Sequence, residues 1–376
     1  QPAIVPSPVF ELVPDAFPQG VTGMSTMDVI AADLNGDGAD DLVLATEFGP
    51  NRVFLYQEGR WQEGPKLPER TTYQLPFKGE DSEDIAVADF DQDGDQDLFF
   101  VSEDTKLHEL LLNDGKGTFI LADQQIPKQG AANAVLVYDF NQDSWPDILI
   151  GIRGQNELYL NQAGDGFELA QNKYWPNNQD HTQDLRLVDL DQDGDQDIVE
   201  GIENGGNNLY LNDSGRFVEH AEWLDLPPGI ETRKVIVQDV DGDQDPDLFF
   251  CNVGWNPIMN PQNQLLLNDG TGKFTNATGR LPVDAATTLD AAFLDFNDDG
   301  LLDIVTTNFV NDQKVKVFLA KDGKEGIEYA LNNDPLPAIA FVGGTSVLPV
   351  TIVDRRYLYF ANFKSPDVLL VEGVKE

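Results

Sequence analysis

Short apolar runs alternate with acidic segments along most of the chain. Apolar runs precede the acidic segments at Val29-Ile30-Ala31, Ile85-Ala86-Val87, Val135-Leu136-Val137 and Val235-Ile236-Val237. Others follow them at Leu42-Val43-Leu44, Leu98-Phe99-Phe100, Ile148-Leu149-Ile150 and Leu248-Phe249-Phe250. The runs are short, contain β-branched or aromatic residues and are bounded by turn residues, a pattern typical of β-strands. We therefore predict a pair of strands around each acidic segment.

A third apolar run and then an aromatic residue follow each pair. The third run often ends in asparagine, at Leu110-Leu111-Leu112-Asn113, Leu158-Tyr159-Leu160-Asn161, Leu209-Tyr210-Leu211-Asn212 and Leu265-Leu266-Leu267-Asn268. After a glycine-rich turn come the aromatic residues Trp61, Phe119, Phe167, Phe217, Phe274 and Tyr329. Four strands per repeat is the composition of one propeller blade.

The acidic segments repeat at regular spacing. Six of them approach the pattern Asp-x-Asp/Asn-x-Asp-Gly-x-x-Asp, and their first aspartates lie 56, 50, 50, 50 and 56 residues apart. Periods of this size are typical of propellers, solenoids and other repeat arrays. The strand pattern favours the propeller.

A seventh repeat lacks the acidic loop. Thr351-Ile352-Val353-Asp354, Tyr357-Leu358-Tyr359-Phe360 and Val368-Leu369-Leu370-Val371 resemble its first three strands. The fourth strand is absent there, but Pro8-Val9-Phe10-Glu11 near the start of the chain has the fourth-strand pattern. Pairing the two would close a ring and cover a free sheet edge.

The predicted fold is thus an all-β, seven-bladed β-propeller with four-stranded blades, closed by the N-terminal strand. We expect one domain over residues 1–376. Its blades are predicted at residues 29–62, 85–120, 135–168, 185–218, 235–275, 291–330, and 350–372 together with 7–13.

Composition limits the partners. The chain has 24 Lys and Arg against 66 Asp and Glu, a net charge of −42, so nucleic acid would be repelled. Hydrophobic residues at 41% argue against disorder, and no apolar run is long enough to predict a membrane span. Cys251 is the only cysteine, which excludes an intrachain disulfide, and three histidines with one cysteine exclude a typical zinc site. Metal cations are the expected partners of the clustered acids; a solvated acidic surface is the alternative.

The loop pattern suits calcium. Carboxylates at positions 1, 3 and 5 of a tight loop point to one centre, position 7 adds its backbone carbonyl, and the aspartate at position 9 completes the shell. Calcium takes six to eight oxygen ligands, whereas magnesium demands stricter octahedral geometry. An EF-hand needs flanking helices and a Glu at position 12, which only one loop has, at Glu200. We predict about six calcium ions, with a structural role favoured over signalling.

Five positions of each loop are the predicted metal ligands. Position 1 is Asp33, Asp89, Asp139, Asp189, Asp239 and Asp295. Position 3 is Asn35, Asp91, Asn141, Asp191, Asp241 and Asn297. Position 5 is Asp37, Asp93, Asp143, Asp193, Asp243 and Asp299. Position 7 is Ala39, Asp95, Trp145, Asp195, Asp245 and Leu301. Position 9 is Asp41, Asp97, Asp147, Asp197, Asp247 and Asp303.

These loops between strands resemble the FG-GAP/VCBS repeat family, which includes the propeller of integrin α subunits and many bacterial extracellular proteins. The VCBS-like form is closer, because Phe48-Gly49 is the only Phe-Gly in the chain, and we expect a bacterial member. The resemblance implies metal ligation at the five positions and an extracellular, periplasmic or cell-surface location. The chain departs from the pattern at Ser144 and Gln244, which replace the position 6 glycine, and at Arg355 and Arg356, where the seventh repeat lacks acids.

In such propellers partners bind the face opposite the calcium loops. The long loops at residues 171–184, 219–234 and 252–264 carry the candidate ligand-binding residues Tyr174, Trp175, His181, Trp223, Arg233 and Trp255. Aromatic rings beside polar groups suit a glycan or a protein partner, although they also fill gaps between blades.

Two functions remain open from the sequence. The first is a non-enzymatic extracellular binding or adhesion module, expected to be monomeric, for a glycan or an extracellular protein. The alternative is a carbohydrate-active enzyme such as a polysaccharide lyase or hydrolase. The chain contains no Gly-x-Ser-x-Gly or His-Glu-x-x-His motif, so no catalytic residue is named and the binding module is favoured.

Overall fold

Antiparallel strands form nearly all of the regular structure, and no α-helix occurs in the residues described. The computed structural model describes residues 10–14, 16, 25–68, 80–103, 107–122, 125–126, 130–170, 174–177, 179–203, 205–227, 229–254, 261–309, 315–324, 326–332, 336 and 343–373. Pro8, Val9 and Trp255, which the sequence analysis singled out, lie outside these residues. The all-β prediction is confirmed.

The strands fall into consecutive groups of four, which we call units 1 to 7. Strand β1 is Phe10–Leu12. Unit 1 contains β2 (Ser25–Ala32), β3 (Asp41–Gly49), β4 (Arg52–Gln57) and β5 (Arg60–Glu63). Unit 2 contains β6 (Glu80–Ala88), β7 (Asp97–Ser102), β8 (Glu109–Asn113) and β9 (Phe119–Leu121). Unit 3 contains β10 (Ala132–Tyr138), β11 (Asp147–Gly154), β12 (Glu157–Asn161) and β13 (Phe167–Leu169).

The remaining units follow the same order. Unit 4 contains β14 (Asp180–Val188), β15 (Asp197–Ile202), β16 (Asn208–Asn212) and β17 (Phe217–Glu219). Unit 5 contains β18 (Thr232–Gln238), β19 (Asp247–Asn252), β20 (Gln264–Asn268) and β21 (Phe274–Asn276). Unit 6 contains β22 (Thr288–Leu294), β23 (Asp303–Asn308), β24 (Lys316–Gly323) and β25 (Gly326–Leu331). Unit 7 contains β26 (Gly344–Ile352), β27 (Arg355–Asn362) and β28 (Val368–Glu372), with β1 as its fourth strand. Short 3₁₀ turns lie at Ala221–Trp223 and Thr278–Arg280.

Hydrogen bonding follows chain order within each unit. In unit 7 the order is β1-β28-β27-β26, and β1 pairs antiparallel with β28, placing Phe10 opposite Glu372. Two links between units were not predicted. Strand β3 also pairs with β6, and β11 also pairs with β14, so units 1 and 2 share one sheet and units 3 and 4 share another.

Apolar side chains are buried between neighbouring units. Separate clusters lie between units 1 and 2, 2 and 3, 3 and 4, 4 and 5, 5 and 6, 6 and 7, and 7 and 1. In the cluster of units 6 and 7, Phe10 stacks on Phe296 with ring centroids 5.0 Å apart. In the cluster of units 7 and 1, Trp61 meets Tyr357 edge to face at 5.0 Å. Burying such rings removes large apolar areas from water, which stabilises the packing of one unit on the next.

The first strands meet at a common centre. Each carries a β-bulge, for example between Thr26 and Asp28 in β2 and between Thr232 and Lys234 in β18. The ammonium nitrogen of Lys234 lies 3.4 Å from Asp28, 3.9 Å from Asp84 and 4.0 Å from Asp184, which belong to units 1, 2 and 4. We call this group the axial cluster. It shows that the first strands of units 1, 2, 4 and 5, which are far apart in sequence, come together at one point.

Candidate metal centres and the opposite face

The acidic loops connect the first and second strands of units 1 to 6 and share one backbone conformation. In every loop the position 6 amide donates to the position 1 carboxylate, over distances between 2.7 Å in loop 3 and 3.1 Å in loops 4 and 5. Positions 4 and 6 are left-handed in all six loops. This includes Ser144, with φ of 73°, and Gln244, with φ of 76°. The two loops without the position 6 glycine thus adopt the same turn, at a cost of roughly 1–2 kcal/mol each.

The aspartate at position 9 is the most buried acid of each loop. In loop 2 one carboxylate oxygen of Asp97 accepts from Phe90 N at 2.8 Å, and the other accepts from Asn113 N at 2.8 Å. All six loops repeat this pair of contacts. Burial raises the pKa of Asp97 to about 7, although the two backbone hydrogen bonds oppose the shift. The same causes raise the pKa of each of the other five to about 6.

Carboxylates converge most closely in loops 2, 4 and 5. There, oxygens of positions 1, 3 and 9 all lie within 4.8 Å of one another. Loops 1, 3 and 6 have asparagine at position 3, so they contribute one carboxylate fewer. Burial and then the neighbouring Asp93 raise the pKa of Asp91. Burial and then the corresponding aspartates also raise the pKa of Asp191 and of Asp241, although Arg280 opposes the shift of Asp241. Within the described residues, no Lys or Arg forms an ion pair with these three clusters.

The donor set fits a hard cation. Two buried carboxylate oxygens, Asp89 Oδ1 in loop 2 and Asp189 Oδ1 in loop 4, have no hydrogen-bond partner in the protein. A buried anionic oxygen without a donor is unfavourable unless a cation satisfies it. The residues that would hold calcium are the side chains at positions 1, 3, 5 and 9, together with the position 7 carbonyl. Such an ion would supply the positive charge that the loops lack.

The asparagine at the end of the third strand supports these loops, a role that sequence reasoning missed. In unit 3, Asn161 N donates to Asp147 of its own loop at 2.8 Å, while the Asn161 side-chain oxygen accepts from Gly164 N at 2.9 Å. The side-chain nitrogen donates to the position 8 carbonyl of Pro146 at 3.2 Å. The repeated Leu-x-Leu-Asn ending was the available signal.

Two of the predicted ligand-binding residues, Trp175 and Trp223, pack against neighbouring units. Trp175 is 3% exposed and packs among Phe140, Tyr210 and Phe217, so its ring fills the space between units 3 and 4. Trp223 lies on the calcium-loop side of the molecule. Its ring and Asp191 of loop 4 are both close to Gly272, where an added Cβ atom would lie 3.5 Å from Trp223 Cζ3 and 3.7 Å from Asp191 Cβ. The Trp175 ring is therefore buried, and the Trp223 ring is partly buried against the cluster between units 4 and 5.

Other predicted ligand residues are placed differently. Tyr174 is half-buried beside the cluster that contains Trp175. His181 and Arg233, by contrast, come together at the opposite end of the first strands from the loops. His181 Nδ1 lies 3.0 Å from Glu203 Oε2, which also accepts from Gln183 Nε2 at 3.1 Å. Arg233 donates to Gln183 Oε1, completing a network that joins units 4 and 5.

This network contains perturbed acid and base groups. Burial lowers the pKa of His181, and the nearby Arg153 and Arg233 act in the same direction, although Glu203 opposes them. Burial and then Glu203 raise the pKa of Glu231 to about 7, with Arg233 opposing. The imidazole is therefore neutral near pH 7, and it sits beside groups able to donate and accept hydrogen bonds.

A family model described as an FG-GAP-like repeat matches the chain five times, over residues 33–100, 89–150, 139–200, 189–250 and 239–306. Cartilage acidic protein 1 of Xenopus tropicalis is 25% identical over an alignment of 338 positions, and this alignment covers 80% of this chain and 51% of that protein. The Mus musculus protein of the same name is 31% identical over 142 residues, or 36% and 22% of the two chains. This chain thus spans about half or less of the length of these vertebrate relatives, which give no support to the expected bacterial origin.

Two solved structures are similar in fold. BBS1N in complex with ARL6DN matches with a TM-score of 0.56 at 11% identity, covering 97% of each chain. The extracellular domain of a hybrid two-component system from B. thetaiotaomicron matches with a TM-score of 0.59 at 9% identity, covering 98% of this chain and 40% of that one. At these identities the likeness concerns the fold alone, which is propeller-like. Within the described part of the chain, no helix has the length and apolarity to cross a membrane.

Proposed function

Because the chain belongs to the family of FG-GAP-like repeat proteins, we propose that it is a calcium-stabilised extracellular binding module built on a seven-bladed propeller. It recognises a glycan or a protein partner with the face opposite the calcium loops. The acid-rich loops carry this proposal: six copies of one loop gather oxygen donors, and in loops 2, 4 and 5 three carboxylates converge with no ion pair to a Lys or Arg among the described residues.

The seven units are the blades of a closed, single-domain ring. Three observations support closure between units 7 and 1. Strand β1 pairs with β28, and an apolar cluster fills the space between the units. Thr26 Oγ1 also donates to Asp367 Oδ2 at 2.7 Å. Equivalent polar contacts occur between other neighbours, for example from Asn207 Nδ2 to Thr232 Oγ1 at 2.9 Å.

The ligand face is proposed around His181 and Arg233. Their network with Gln183 and Glu203 supplies hydrogen-bond donors and acceptors at the end of the first strands that faces away from the loops. Six bound calcium ions would reduce the net charge only to roughly −30, so neutral glycans or basic protein surfaces are better partners than polyanions. An extracellular location suits the calcium requirement, and one of the structurally similar chains is itself described as an extracellular domain.

Calcium binding is tested first. After treatment with chelator and exhaustive dialysis, isothermal titration and native mass spectrometry should show close to six calcium ions per chain. Saturating calcium should raise the melting temperature substantially, because an ion that binds only the folded state stabilises it by mass action. Magnesium at the same concentration is the control and should stabilise less. A melting curve unchanged by calcium, with metal removal verified, would contradict the proposal.

Partner binding is tested on the calcium-loaded protein. A glycan array and a panel of basic extracellular proteins would supply a ligand. We expect the double variant His181→Ala, Arg233→Ala to bind that ligand at least about tenfold more weakly, since each lost hydrogen bond to a charged group is worth about 1.5–3 kcal/mol. Val283→Ala, at a site that is 99% exposed, is the surface control. Full affinity in the double variant would exclude this face, and conversion of the ligand to product would favour the carbohydrate-active enzyme.

A further inference from the structure

We propose that the six calcium loops bind their ions in three coupled groups. Loops 1 to 3, at residues 33–41, 89–97 and 139–147, form a trio. Loops 4 and 5, at residues 189–197 and 239–247, form a pair, and loop 6, at residues 295–303, acts alone. This inference rests on the calcium binding proposed above and adds which sites influence one another. Hydrogen bonds between loops of neighbouring units carry it.

The carboxamide at the end of the third strand makes the first kind of link. Asn113 Nδ2 donates to Leu34 O of loop 1 at 2.8 Å and to Gln96 O of loop 2 at 2.9 Å. Asn161 Nδ2 likewise donates to Phe90 O of loop 2 at 2.9 Å and also bonds loop 3. Each of these amides joins position 2 of one loop to position 8 of the next.

Asn268 makes the same link within the proposed pair. Its Nδ2 donates to Leu190 O of loop 4 at 2.8 Å and to Pro246 O of loop 5 at 3.2 Å. The residue at position 2 also donates its own amide to the position 9 aspartate, as Leu190 N does to Asp197 Oδ2 at 2.8 Å. The carbonyl group of Leu190 thus contacts Asn268, while its amide group contacts Asp197, a proposed metal ligand.

Glutamine side chains at position 4 make a second kind of link, and only inside the proposed groups. Gln92 Nε2 of loop 2 donates to Ser144 O of loop 3 at 2.7 Å. Gln192 Nε2 of loop 4 donates to Asp245 Oδ1 of loop 5. The equivalent Gln142 of loop 3 bonds no other loop in the described residues. In the described residues, both kinds of link are thus absent between loops 3 and 4, where Tyr138 contacts the Gln196 backbone instead.

The chain breaks the first kind of link at two positions. Asn212 in unit 4 donates to Gln196 O of its own loop at 3.1 Å. Its contact with unit 3 is with Tyr138, which also bonds the Gln196 backbone, so in the described residues this carboxamide reaches no backbone group of loop 3. Ala320 takes the place of the asparagine in unit 6, so it has no carboxamide with which to reach loop 5. Loop 6 is instead held by Arg356 of unit 7, whose guanidinium pairs with Asp298.

These links make coupling physically reasonable. An ion that orders one loop fixes the carbonyl groups that the shared amide contacts, so the next ion meets a loop that is already partly ordered. The second ion then binds with a smaller loss of conformational entropy than the first, so binding is positively cooperative without a large structural change. Coupling between sites is typically worth 5- to 150-fold in affinity. Through one or two neutral hydrogen bonds we expect the lower end, about five- to tenfold.

The test compares matched variants in calcium titrations followed by native mass spectrometry. For the wild-type chain, we expect species with only part of the trio or pair occupied by calcium to be less abundant than independent binding would give. Asn161→Ala should weaken the second and third ions of the trio by about five- to tenfold and raise the populations of those intermediates. Asn212→Ala removes the equivalent carboxamide, which bonds the backbone of loop 4 and the Tyr138 side chain but no backbone group of loop 3 in the described residues. It should change the affinity of loop 4 while leaving the population pattern intact.

Exposed glutamines provide a second comparison that does not depend on a core side chain. Gln92→Ala should reduce the coupling of loops 2 and 3, whereas Gln142→Ala should leave it unchanged, with equal melting temperatures in chelator for both. Six ions that bind independently in the wild type, or equal effects of Asn161→Ala and Asn212→Ala, would overturn the coupling while leaving calcium binding in place. A chain that binds no calcium would overturn the proposed function, and the coupling with it.

Discussion

The first strands gather aspartates in two places, and the two places differ in where the positive charge comes from. Asp28, Asp84, Asp184 and Asp290 each precede the first aspartate of a loop by five residues. Three of these four aspartates, Asp28, Asp84 and Asp184, belong to the axial cluster and lie within 4.0 Å of the Lys234 ammonium. The loop aspartates have no such residue in the described chain, apart from Arg356 at loop 6. The negative charges of the axial cluster are thus neutralised by side chains of the protein, whereas those of the loops are neutralised by the proposed calcium ions.

The chemistry of the axial cluster follows from its internal cations. Asp184 accepts from Arg186 Nε at 3.0 Å and from Val235 N of the next unit at 2.7 Å, so it is both paired and hydrogen-bonded. Burial lowers the pKa of Lys234, but the charges of Asp28 and Asp84 outweigh this effect and raise it. Lys234 therefore stays charged at neutral pH. A cation attached to the chain cannot dissociate, whereas a calcium ion can be removed by chelation.

Lys234→Met gives the largest expected effect and tests the axial side of the comparison. Removing one partner from a buried ion pair leaves uncompensated charge, so we expect the free energy of unfolding to fall by about 3–5 kcal/mol in denaturant titrations. Saturating calcium should not restore this loss. Asp84→Asn added to the variant should recover part of the stability, because it removes one of the orphaned carboxylates.

A surface lysine serves as the control for that variant. The ammonium of Lys273 lies 5.0 Å from the centroid of the Trp223 ring and is exposed, so Lys273→Met should change stability by no more than about 1 kcal/mol. If calcium rescued Lys234→Met, the axial cluster would be a metal site like the loops and the distinction between the two regions would fail. If Lys234→Met were as stable as the wild type, the proposal that Lys234 neutralises the axial aspartates would also be wrong.

Local sequence pattern predicted the parts of the molecule that repeat. The flanks of each loop, such as Ile85-Ala86-Val87 and Leu98-Phe99-Phe100, are strands, and the family resemblance is confirmed. Loop geometry was predictable because spacing within nine residues fixes which side chains share a turn. The positive φ of Ser144 and Gln244 was not expected, since the surrounding loop imposes a conformation that those residues rarely adopt alone.

Contacts between units could not be predicted in the same way. Lys234 meets Asp28 across 206 residues, and a single sequence gives no information on which first-strand residues share the axis. The tryptophans were predicted to lie on the ligand-binding face only because they occur in long loops. Trp175 instead fills a gap between units, because a ring of that size gains more from burial against Phe217 and Tyr210 than from exposure. The carboxamide links between loops were missed for the same reason.

The smallest expected effect is the pH dependence of the region around the axial cluster. Burial raises the pKa of Glu83 to about 8, with Arg233 opposing and Asp81, Glu103 and Glu47 adding to the shift. Burial likewise raises the pKa of Asp84 to about 7, with Lys234 and Arg186 opposing and Asp28 and Asp184 adding to it. Both values exceed those of the unfolded chain, so the folded state binds protons more tightly and loses stability as the pH rises through them. Glu231, with a pKa of about 7, acts in the same direction.

In saturating calcium, the free energy of unfolding should therefore rise by about 1 kcal/mol as the pH falls from 9 to 7, mainly through Glu83. Lys234 and Arg186 stay charged throughout this range because their pKa values are raised, and His181 stays neutral because its pKa is lowered. Glu83→Gln should flatten most of the slope, since the amide does not titrate. Denaturant titrations at pH 7, 8 and 9 measure both proteins. A flat wild-type profile would mean that the internal cations already balance the axial acids completely, whereas an equal slope in the variant would mean that Glu83 does not cause it. In the first case, the balance in the axial region would contrast with loops 2, 4 and 5, whose converging carboxylates form no ion pair with a Lys or Arg in the described part of the chain.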